Sequence, residues 1–583
     1  MNKKLKLFII IFSGLAALCL IPALFPYTQK CAVKFVETYK NDDINDSFWM
    51  KQMFAFASMG IIFILLLNLT LFTEKGKNYF NLLKEQIIKT SIIVKQNKKY
   101  LFILAGLYFL GYFSIIRANF WNFAVDDLPR TMEGSREWVN FYRYFAEIGS
   151  IFIHTSMNIF DIAPLTQFIA LVFISFASFF AISIFSDNSF STGKCIAALP
   201  VGLSPFFLSN YSYRYDSPYM ALSLFISVIP FLFRKDLRVF IISSVVCLFI
   251  MCTSYQASSG IYIFMAILVF VKMMLFENEN SKTLFKFTVT SILSYALTLL
   301  FFSFLFIEQA EGGSYVDESL KLSMLLPNTI TYLKTILEGL HKSAILIFSI
   351  LVFLLFIINC TVYSGRHKLL AFSISTISLL VSIPLTFGSY LALGKPEFIP
   401  RAFIGIGVFL GCIAIFTTSI TQKTFFLHRI TSVILFCLSY STLAFSFAFG
   451  NAQYDQKEYI KFRGTLLARD LSECITPSDE IIELLFVNDI GYAPSVEVLR
   501  KTYPLVSKSI NKGFSGDRGS EFILESLNLI SLKEQSNHNF KNEDFPVLKE
   551  TLYHKIQAKD NMYLITFKTP KLKTVKTRTF INE

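Results

Sequence analysis

The residues "YLFILAGLYFLGYFSII" (100–116) contain no charged side chain, and "NFWNFAVDDLPR" (119–130) soon follows with two adjacent carboxylates. The apolar run is about as long as a helix must be to cross the hydrocarbon core of a bilayer. In lipid, backbone amides must be paired within the segment, so the run is predicted to be a membrane-spanning α-helix. Asp126 and Asp127 would then lie just beyond its end, where lipid meets water.

The composition of the whole chain also favours a membrane protein. Of its 583 residues, 54% are hydrophobic, 16% are charged and 65 are Phe, which exceeds what the core of a soluble protein requires. A net charge of +13 would suggest nucleic acid in a soluble protein, but no basic stripe with aromatic partners stands out. The positive charge collects instead in short loops, as it does on the cytoplasmic side of membrane proteins.

Similar apolar runs recur along the chain and predict about thirteen spanning helices, with some runs short enough to change that number by one or two. The first run follows a basic N-terminus. A cleaved signal peptide is the alternative there, but we favour an uncleaved helix because no small-x-small cleavage site follows. The runs lie near 7–26, 53–72, 100–117, 162–185, 195–209, 217–233, 239–252, 258–275, 287–307, 343–360, 369–392, 402–420 and 430–449.

Lys and Arg determine the predicted orientation of these helices. The loop 73–99 carries seven Lys, and the loops 233–238, 364–368 and 421–429 are short and basic. All of them fall on the same side as the N-terminus, which we therefore place in the cytoplasm. The opposite side then carries 27–52, 118–161, 210–216, 253–257, 308–342, 393–401 and everything after 450.

Three regions follow from this division of the chain. Residues 1–99 are predicted to be an N-terminal extension of two transmembrane helices, 100–450 a transmembrane core, and 451–583 a domain outside the membrane. The predicted fold class is an all-α polytopic membrane protein with a small C-terminal α/β domain.

The tail after residue 450 is polar and mixed in charge, but it keeps enough apolar residues to form a core. A stripe through Tyr459, Phe462, Leu466 and Leu467 predicts a helix. The segments "IIELLFV" (481–487) and "MYLITFK" (562–568) have the pattern of strands.

The acidic pair is followed by a segment with helical periodicity. Trp138, Phe141, Phe145, Ile148 and Phe152 lie three or four residues apart, which predicts one amphipathic helix resting in the interface plane beside the pair. A solvated pair and a supporting helix without a chemical role are the alternative.

Three further segments on the same side combine acids, cations and aromatic rings: "SNYSYRYDSP" (209–218), "TSYQASSG" (253–260) and "GKPEFIPR" (394–401). Each alone could be an interfacial anchor. Together they provide what an enzyme for a lipid-linked sugar phosphate needs: a carboxylate to take a proton, cations for a departing phosphate, and rings to pack on sugars. The candidate binding residues in these segments are Arg214, Asp216, Tyr255, Gln256, Lys395, Glu397 and Arg401.

Other chemistries find little support in the sequence. The six His are scattered and no metal-ligand spacing is present, so neither a metal nor another cofactor is predicted. The interiors of the apolar runs are nearly free of ionisable residues, whereas coupled transporters usually keep such groups at membrane depth.

The block "DDLPRTMEGSREWVNFYR" (126–143) resembles the Asp-Asp-x-x-Arg block of the phage-type serotype-converting glucosyltransferases, the Gtr family of O-antigen modifiers. There the acidic pair is followed by an Arg, a Gly, a Trp and a second Arg, which here would be Arg130, Gly134, Trp138 and Arg143. The segments "TSYQASSGIYI" (253–263), "PRAFIGIGVF" (400–409) and "NAQYDQ" (451–456) are similar to later blocks, so the resemblance covers about 100–475.

The resemblance implies a polytopic glycosyltransferase of the GT-C type in the bacterial inner membrane. Such an enzyme would move a sugar, most often glucose, from undecaprenyl phosphate to O-antigen repeats of lipopolysaccharide, or to another envelope glycan, on the periplasmic face. It would contact membrane lipid and no nucleic acid. Related enzymes carry the catalytic acid in the first large external loop, whereas here the pair follows the third predicted helix, which leaves the role of 1–99 open.

We expect Asp126 or Asp127 to be the general base, and the other to orient the acceptor or to stabilise the positive charge at the anomeric carbon. Arg401, Lys395 and Arg130 are expected to hold the phosphate leaving group. The alternatives are an O-antigen polymerase, a flippase for a lipid-linked glycan and a non-catalytic scaffold. A flippase should need a charged path through the membrane.

Overall fold

The computed structural model describes residues 74–120, 126–306, 317–421, 425–475, 482–514, 518–526, 545–559 and 561–569. The predictions for the runs 7–26 and 53–72 lie outside these residues. The described chain is mostly helical and divides into two compact units: one holds its residues within 1–97, 230–249 and 285–315, and the other the remainder.

The described helices differ widely in length, from single turns to 50 residues. In chain order they are α1 (Glu74–Gln96), α2 (Lys98–Ala118), α3 (Leu128–Glu133), α4 (Tyr144–His154), α5 (Leu165–Phe185), α6 (Thr192–Ala197), α7 (Pro200–Leu203), α8 (Pro205–Tyr211), α9 (Ser217–Val228), α10 (Leu237–Cys252), α11 (Ser259–Leu275), α12 (Ser281–Phe306), α13 (Leu325–Leu340), α14 (Ala344–Tyr363), α15 (Lys368–Leu385), α16 (Ile404–Ile420), α17 (Phe425–Cys474), α18 (Pro494–Thr502) and α19 (Arg518–Ser526). Short 3-10 helices lie at Trp138–Phe141, Ile229–Phe233, Gln256–Ser258, Leu322–Met324, Gly388–Ala392, Pro400–Phe403 and Pro504–Lys508.

Each of the eleven predicted apolar runs that lie wholly or mostly within the described residues coincides with one or more helices, although the run 369–392 extends past the end of α15 and the run 195–209 is broken at Ser204. By length and composition, eight of the described helices could cross a membrane, or nine if one bent pair is a single span. The helices at Ser217–Phe233 and Leu237–Cys252 are apolar but shorter than a span. Within the described residues the chain is therefore a polytopic helical protein with fewer full-length spans than the sequence predicts.

The bent pair directs the chain towards the acidic segment. Thr192–Leu203 and Pro205–Tyr211 meet at 64°, because Ser204 is extended and the ring of Pro205 cannot continue the preceding helix. The hydroxyl of Ser204 accepts a hydrogen bond from the Phe207 amide at 3.3 Å and caps α8. The chain then leaves α8 at Tyr211 and forms a short loop before α9 begins at Ser217, with Pro218 in its first turn.

The predicted single amphipathic helix after the acidic pair is wrong, because the segment folds as α3, a 3-10 helix and α4. Gly134 adopts a left-handed conformation (φ 70°) and ends α3. Glu137 and Tyr142 also have positive φ, on either side of the 3-10 helix. As a result Trp138 is buried, whereas the other members of the predicted stripe stay exposed: Phe141, Phe145, Ile148 and Phe152.

Close packing fixes the loop 387–403, which carries the last group of candidate residues. A Cβ added at Gly260 or Gly405 would lie 2.2 or 2.1 Å from the carbonyl oxygen of Thr386. Only glycine therefore lets α11 and α16 approach the end of α15. The loop is also tied by β1 (Asp317–Leu320), which pairs antiparallel with β2 (Leu393–Lys395).

Helix α17 passes without a break from the last apolar run into the tail. The tail then adds a four-stranded sheet of order β3-β6-β5-β4, in which β3 and β6 are parallel and the other pairs antiparallel. Both strands predicted from the sequence are confirmed, at β3 and β6. The strands are β3 (Glu483–Val487), β4 (Val547–Glu550), β5 (His554–Lys559) and β6 (Met562–Phe567).

Arg463 of α17 joins the helix to this sheet. Its guanidinium is buried and donates to the carbonyl oxygens of Ile490, Tyr553 and Lys568, at 3.3, 2.7 and 2.9 Å. Helix α19 of the tail packs against α3. The tail domain therefore reaches the segment that follows the acidic pair.

Candidate functional site

Asp216 is the buried anion at the centre of the site. Its carboxylate accepts hydrogen bonds from the indole N–H of Trp138 and, at 3.2 Å, from the guanidinium of Arg130. The guanidinium of Arg130 also lies 4.7 Å from the centre of the Trp138 ring. Burial alone would raise the pKa of Asp216, but Arg130, Arg143 and the Trp138 N–H outweigh it and lower the pKa. Asp216 therefore stays ionised and holds the loop before α9 to the segment that carries Arg130 and Trp138.

Arg214, which is buried, forms a second ion pair with the exposed Asp161. Its guanidinium donates two hydrogen bonds to Asp161, one of them at 3.1 Å to Oδ1, and one to the carbonyl oxygen of Asn119 at 3.3 Å. Asn119 follows the end of α2, so Arg214 ties that helix end to the loop before α9. The backbone N–H of Arg214 also points at Asp127 Oδ2, at 3.4 Å.

Arg401 faces the first of the two adjacent carboxylates. Its Nη1 lies 3.2 Å from Asp126 Oδ2 and donates to the hydroxyl of Tyr213, and its Nη2 lies 3.4 Å from Glu397 Oε2. The side chains of Arg401 and Asp126 are 25% and 40% exposed, so this pair is open to solvent. The hydroxyl of Tyr255 donates to the backbone oxygen of Arg401 at 2.9 Å and fixes its position.

The two adjacent carboxylates have different environments. Asp127 is completely buried, and burial, followed by the nearby Asp216 and Asp126, raises its pKa well above the ordinary value. Asp127 therefore tends to keep its proton, while Asp126 remains accessible beside Arg401. The sequence alone does not distinguish the two.

Replacing Asp127 with Asn tests this difference through the pH dependence of stability. Because the pKa of Asp127 is raised on folding, its contribution to stability is full below the unfolded pKa of about 3.9 and is lost as pH rises through the folded pKa. Asn has nearly the same shape and does not titrate. We expect Asp127→Asn to gain stability over wild type as pH rises from about 4 to about 8, by roughly 1.4 kcal/mol per pH unit until the folded pKa is reached.

The measurement is thermal unfolding of the two detergent-solubilised proteins across that pH range. A difference between their melting temperatures that does not change with pH would contradict a raised pKa at Asp127.

Arg143 is the fourth cation of the site and differs from the other three. Its guanidinium lies 5.0 Å from the centre of the Tyr255 ring and 5.2 Å from that of Phe141, and its Nε is 3.5 Å from Gln256 Oε1. None of the carboxylates with a described side chain forms an ion pair with it. Arg143 is therefore available to an anionic ligand, and Tyr255 contacts both Arg143 and Arg401.

The structure brings together eleven of the twelve residues predicted for the site. The exception is Lys395, which is exposed on β2. Among the described residues, no hydrogen bond or ion pair joins Lys395 to the other eleven. Sequence reasoning missed Asp161 and did not single out Tyr213. Asp161 has a charge complementary to Arg214, but nothing in the pattern connects the two positions. The residues that meet are Asp126, Asp127, Arg130, Trp138, Arg143, Arg214, Asp216, Tyr255, Gln256, Glu397 and Arg401.

Among the described residues, no group of three or more His, Cys, Asp or Glu side chains could hold a metal ion. The absence of a metal requirement stays a prediction from the sequence.

A family model and a phage protein are similar to the chain. The family model described as "Glucosyl transferase GtrII" matches residues 113–418, just over half of the chain, and this range contains every residue of the site. A Salmonella phage P22 protein, described as an uncharacterized 55.3 kDa protein in the gtrB 5′ region, is 23% identical over 429 residues, which are 70% of this chain and 86% of that protein. No solved structure is significantly similar to the chain.

Proposed function

The chain belongs to the glucosyl transferase GtrII family, and from that premise we propose that it transfers glucose from a polyprenyl phosphate donor to O-antigen repeat units on the periplasmic face of the inner membrane. Membership implies a glycosyltransferase, and the described apolar helices indicate a membrane protein. The donor, the acceptor and the orientation are the proposed part. The name of the P22 protein places its gene in the gtrB 5′ region. That genetic position suits a role in serotype conversion.

The observation that carries the proposal is the accessible carboxylate of Asp126 among arginines. Asp126 is 40% exposed on its side chain and borders Arg401, so an incoming hydroxyl group can reach it. Asp127 is enclosed and has a raised pKa. We therefore assign the general base to Asp126 and a supporting role to Asp127, whose carboxyl group meets the Arg214 backbone.

In this reaction Asp126 accepts the proton of an acceptor hydroxyl. The oxygen of that hydroxyl forms a bond to the anomeric carbon of the donor, while the bond from this carbon to the phosphate oxygen breaks. The lipid phosphate leaves as an anion. Arg143 and Arg401, which both contact Tyr255, stabilise its charge.

The sequence-based expectation that Arg130 holds the phosphate fits the geometry less well. Arg130 and Asp216 are only 7% and 9% exposed on their side chains and pair with each other. We assign to Arg130, Asp216 and Trp138 the task of fixing α3 against the loop before α9, which positions the acidic pair. Lys395 is exposed, and its contribution to phosphate binding stays a prediction.

The position of the tail supports the proposed orientation. Because α19 packs against α3, the tail domain lies on the same side as the acidic pair, as the distribution of Lys and Arg requires. On that side the pair, the aromatic rings and the tail face the compartment in which the O-antigen repeats are modified.

Comparing lipopolysaccharide from cells with and without the gene tests the proposal. We expect mass spectrometry to show a gain of one hexose per repeat unit in cells that carry the gene, with an unchanged distribution of chain lengths. A changed chain length without added hexose would point to a polymerase, and no change in mass or length would remove the proposal. Cells carrying the empty vector are the control.

A further inference from the structure

Arg401 contacts the proposed base, Asp126, and its backbone oxygen accepts a hydrogen bond from Tyr255, whose ring lies against Arg143. We infer that Arg401 imposes an order on the reaction: the donor phosphate displaces Asp126 from the guanidinium, and the released carboxylate then offers both of its oxygens to the acceptor hydroxyl. The inference rests on the proposed function and deepens it, since it assigns to one residue both the phosphate and the control of the base.

Arg401 contacts each of two carboxylates through one nitrogen. Its Nη1 lies 3.2 Å from Asp126 Oδ2 and also donates to the Tyr213 hydroxyl, and its Nη2 lies 3.4 Å from Glu397 Oε2. Neither carboxylate forms the parallel pair of hydrogen bonds that gives arginine its strongest anion contacts. A phosphate can form that pair and so compete with Asp126.

Exposure separates this ion pair from the Arg130–Asp216 pair. Arg401, Asp126 and Glu397 are 25%, 40% and 39% exposed on their side chains, whereas Arg130 and Asp216 are nearly enclosed. An exposed pair can exchange partners at little cost, because water replaces the lost contact. Breaking the enclosed pair would leave a buried charge without a partner.

The surroundings of Arg401 allow the exchange without moving the arginine itself. Glu397 remains as its second carboxylate, and the Tyr255 hydroxyl holds its backbone oxygen. Arg143, which lies against the ring of the same Tyr255, supplies a further cation to the phosphate. Displacement therefore moves the Asp126 side chain while Arg401 keeps its place.

The consequence for the acceptor follows from the lone pairs of Asp126. While Asp126 Oδ2 accepts an N–H group of Arg401, an acceptor hydroxyl must compete with a cation for that oxygen. Once the phosphate holds the guanidinium, the carboxylate can accept the O–H group instead. Phosphate and acceptor should therefore strengthen each other's binding, and by linkage to the same extent.

The test is to titrate the full-length protein in detergent with an oligosaccharide of the O-antigen repeat, with and without saturating undecaprenyl phosphate, the sugar-free lipid product. We expect undecaprenyl phosphate to tighten acceptor binding by about tenfold. In Asp126→Asn and in Arg401→Gln the gain should fall below about twofold, because the exchanged ion pair is gone. Asp126→Asn keeps Arg401 for the phosphate, so its result does not depend on lost lipid binding.

Arg500→Gln is the matched control, since it removes an arginine from the exposed pair with Glu497 in α18, and it should keep the wild-type coupling. Binding of both probes to the wild type with no effect on each other would overturn the inference and leave the proposed function intact. Failure of the wild type to bind either probe would overturn the proposed function and the inference with it.

Discussion

Asp126→Asn is expected to lower the rate of glucosyl transfer by about 10²–10⁴-fold while the protein still folds and inserts, because this is the range that general-base catalysis contributes. The amide keeps the size of the side chain but cannot take the proton of the acceptor hydroxyl. The side chain of Asp126 is partly exposed, so the change removes no buried group. The assay is transfer of labelled sugar from a polyprenyl phosphate donor to O-antigen in membranes with matched protein levels.

Asp127→Asn is the neighbouring control for this prediction. The pKa of Asp127 is raised by burial and by Asp216 and Asp126, so the neutral amide resembles the form that the folded protein favours. Its loss of rate should be at least about tenfold smaller than that of Asp126→Asn. A larger loss in Asp127→Asn would reverse the assignment of the base.

Asp216→Ala is expected to lower the free energy of unfolding by about 3–5 kcal/mol, the usual cost of removing one partner of a buried ion pair. The substitution leaves the guanidinium of Arg130 and the N–H of Trp138 without their acceptor, and both side chains are buried. The tie between α3 and the loop before α9 would be lost. Activity should fall as well, because that tie positions the acidic pair.

Glu338→Ala is the comparison for this prediction. It breaks the ion pair of Lys334 and Glu338 on α13, whose side chains are 69% and 66% exposed, and such pairs contribute no more than about 1 kcal/mol. Unfolding in detergent, followed by circular dichroism, measures both variants. Equal losses in the two would mean that the Arg130–Asp216 pair carries no special weight in this fold.

Hydropathy was sufficient to locate the helices of the core, because long apolar runs have few alternatives in lipid. It could not tell a full span from a shorter apolar helix, as at 217–233 and 239–252. It also failed after the acidic pair, where three-to-four spacing suggested one helix. There, the chain turns at residues with positive φ, and a hydrogen bond from Trp138 to Asp216 holds the turn. The spacing of apolar residues predicts neither the positive φ angles nor this hydrogen bond.

The sequence was sufficient to predict which loops form the candidate site. It was not sufficient to predict which charged residues of those loops form ion pairs with each other. Basic loops placed the acidic segment and the loops before α9, before α11 and before α16 on one side, and residues of all four do meet. Which arginine pairs with which carboxylate depends on distances between segments remote in sequence, such as the 53 positions that separate Asp161 from Arg214. The unlike environments of Asp126 and Asp127 arise in the same way.

Helix α17 is 50 residues long, which corresponds to a rod of about 75 Å, more than twice the roughly 30 Å thickness of the hydrocarbon layer. The length of this helix sets how far the tail domain lies from the last apolar run. One residue added to the helix would also rotate the tail domain about the helix axis by about 100°. The tail domain, which contacts α3 through α19, therefore depends on the length of α17 for its position.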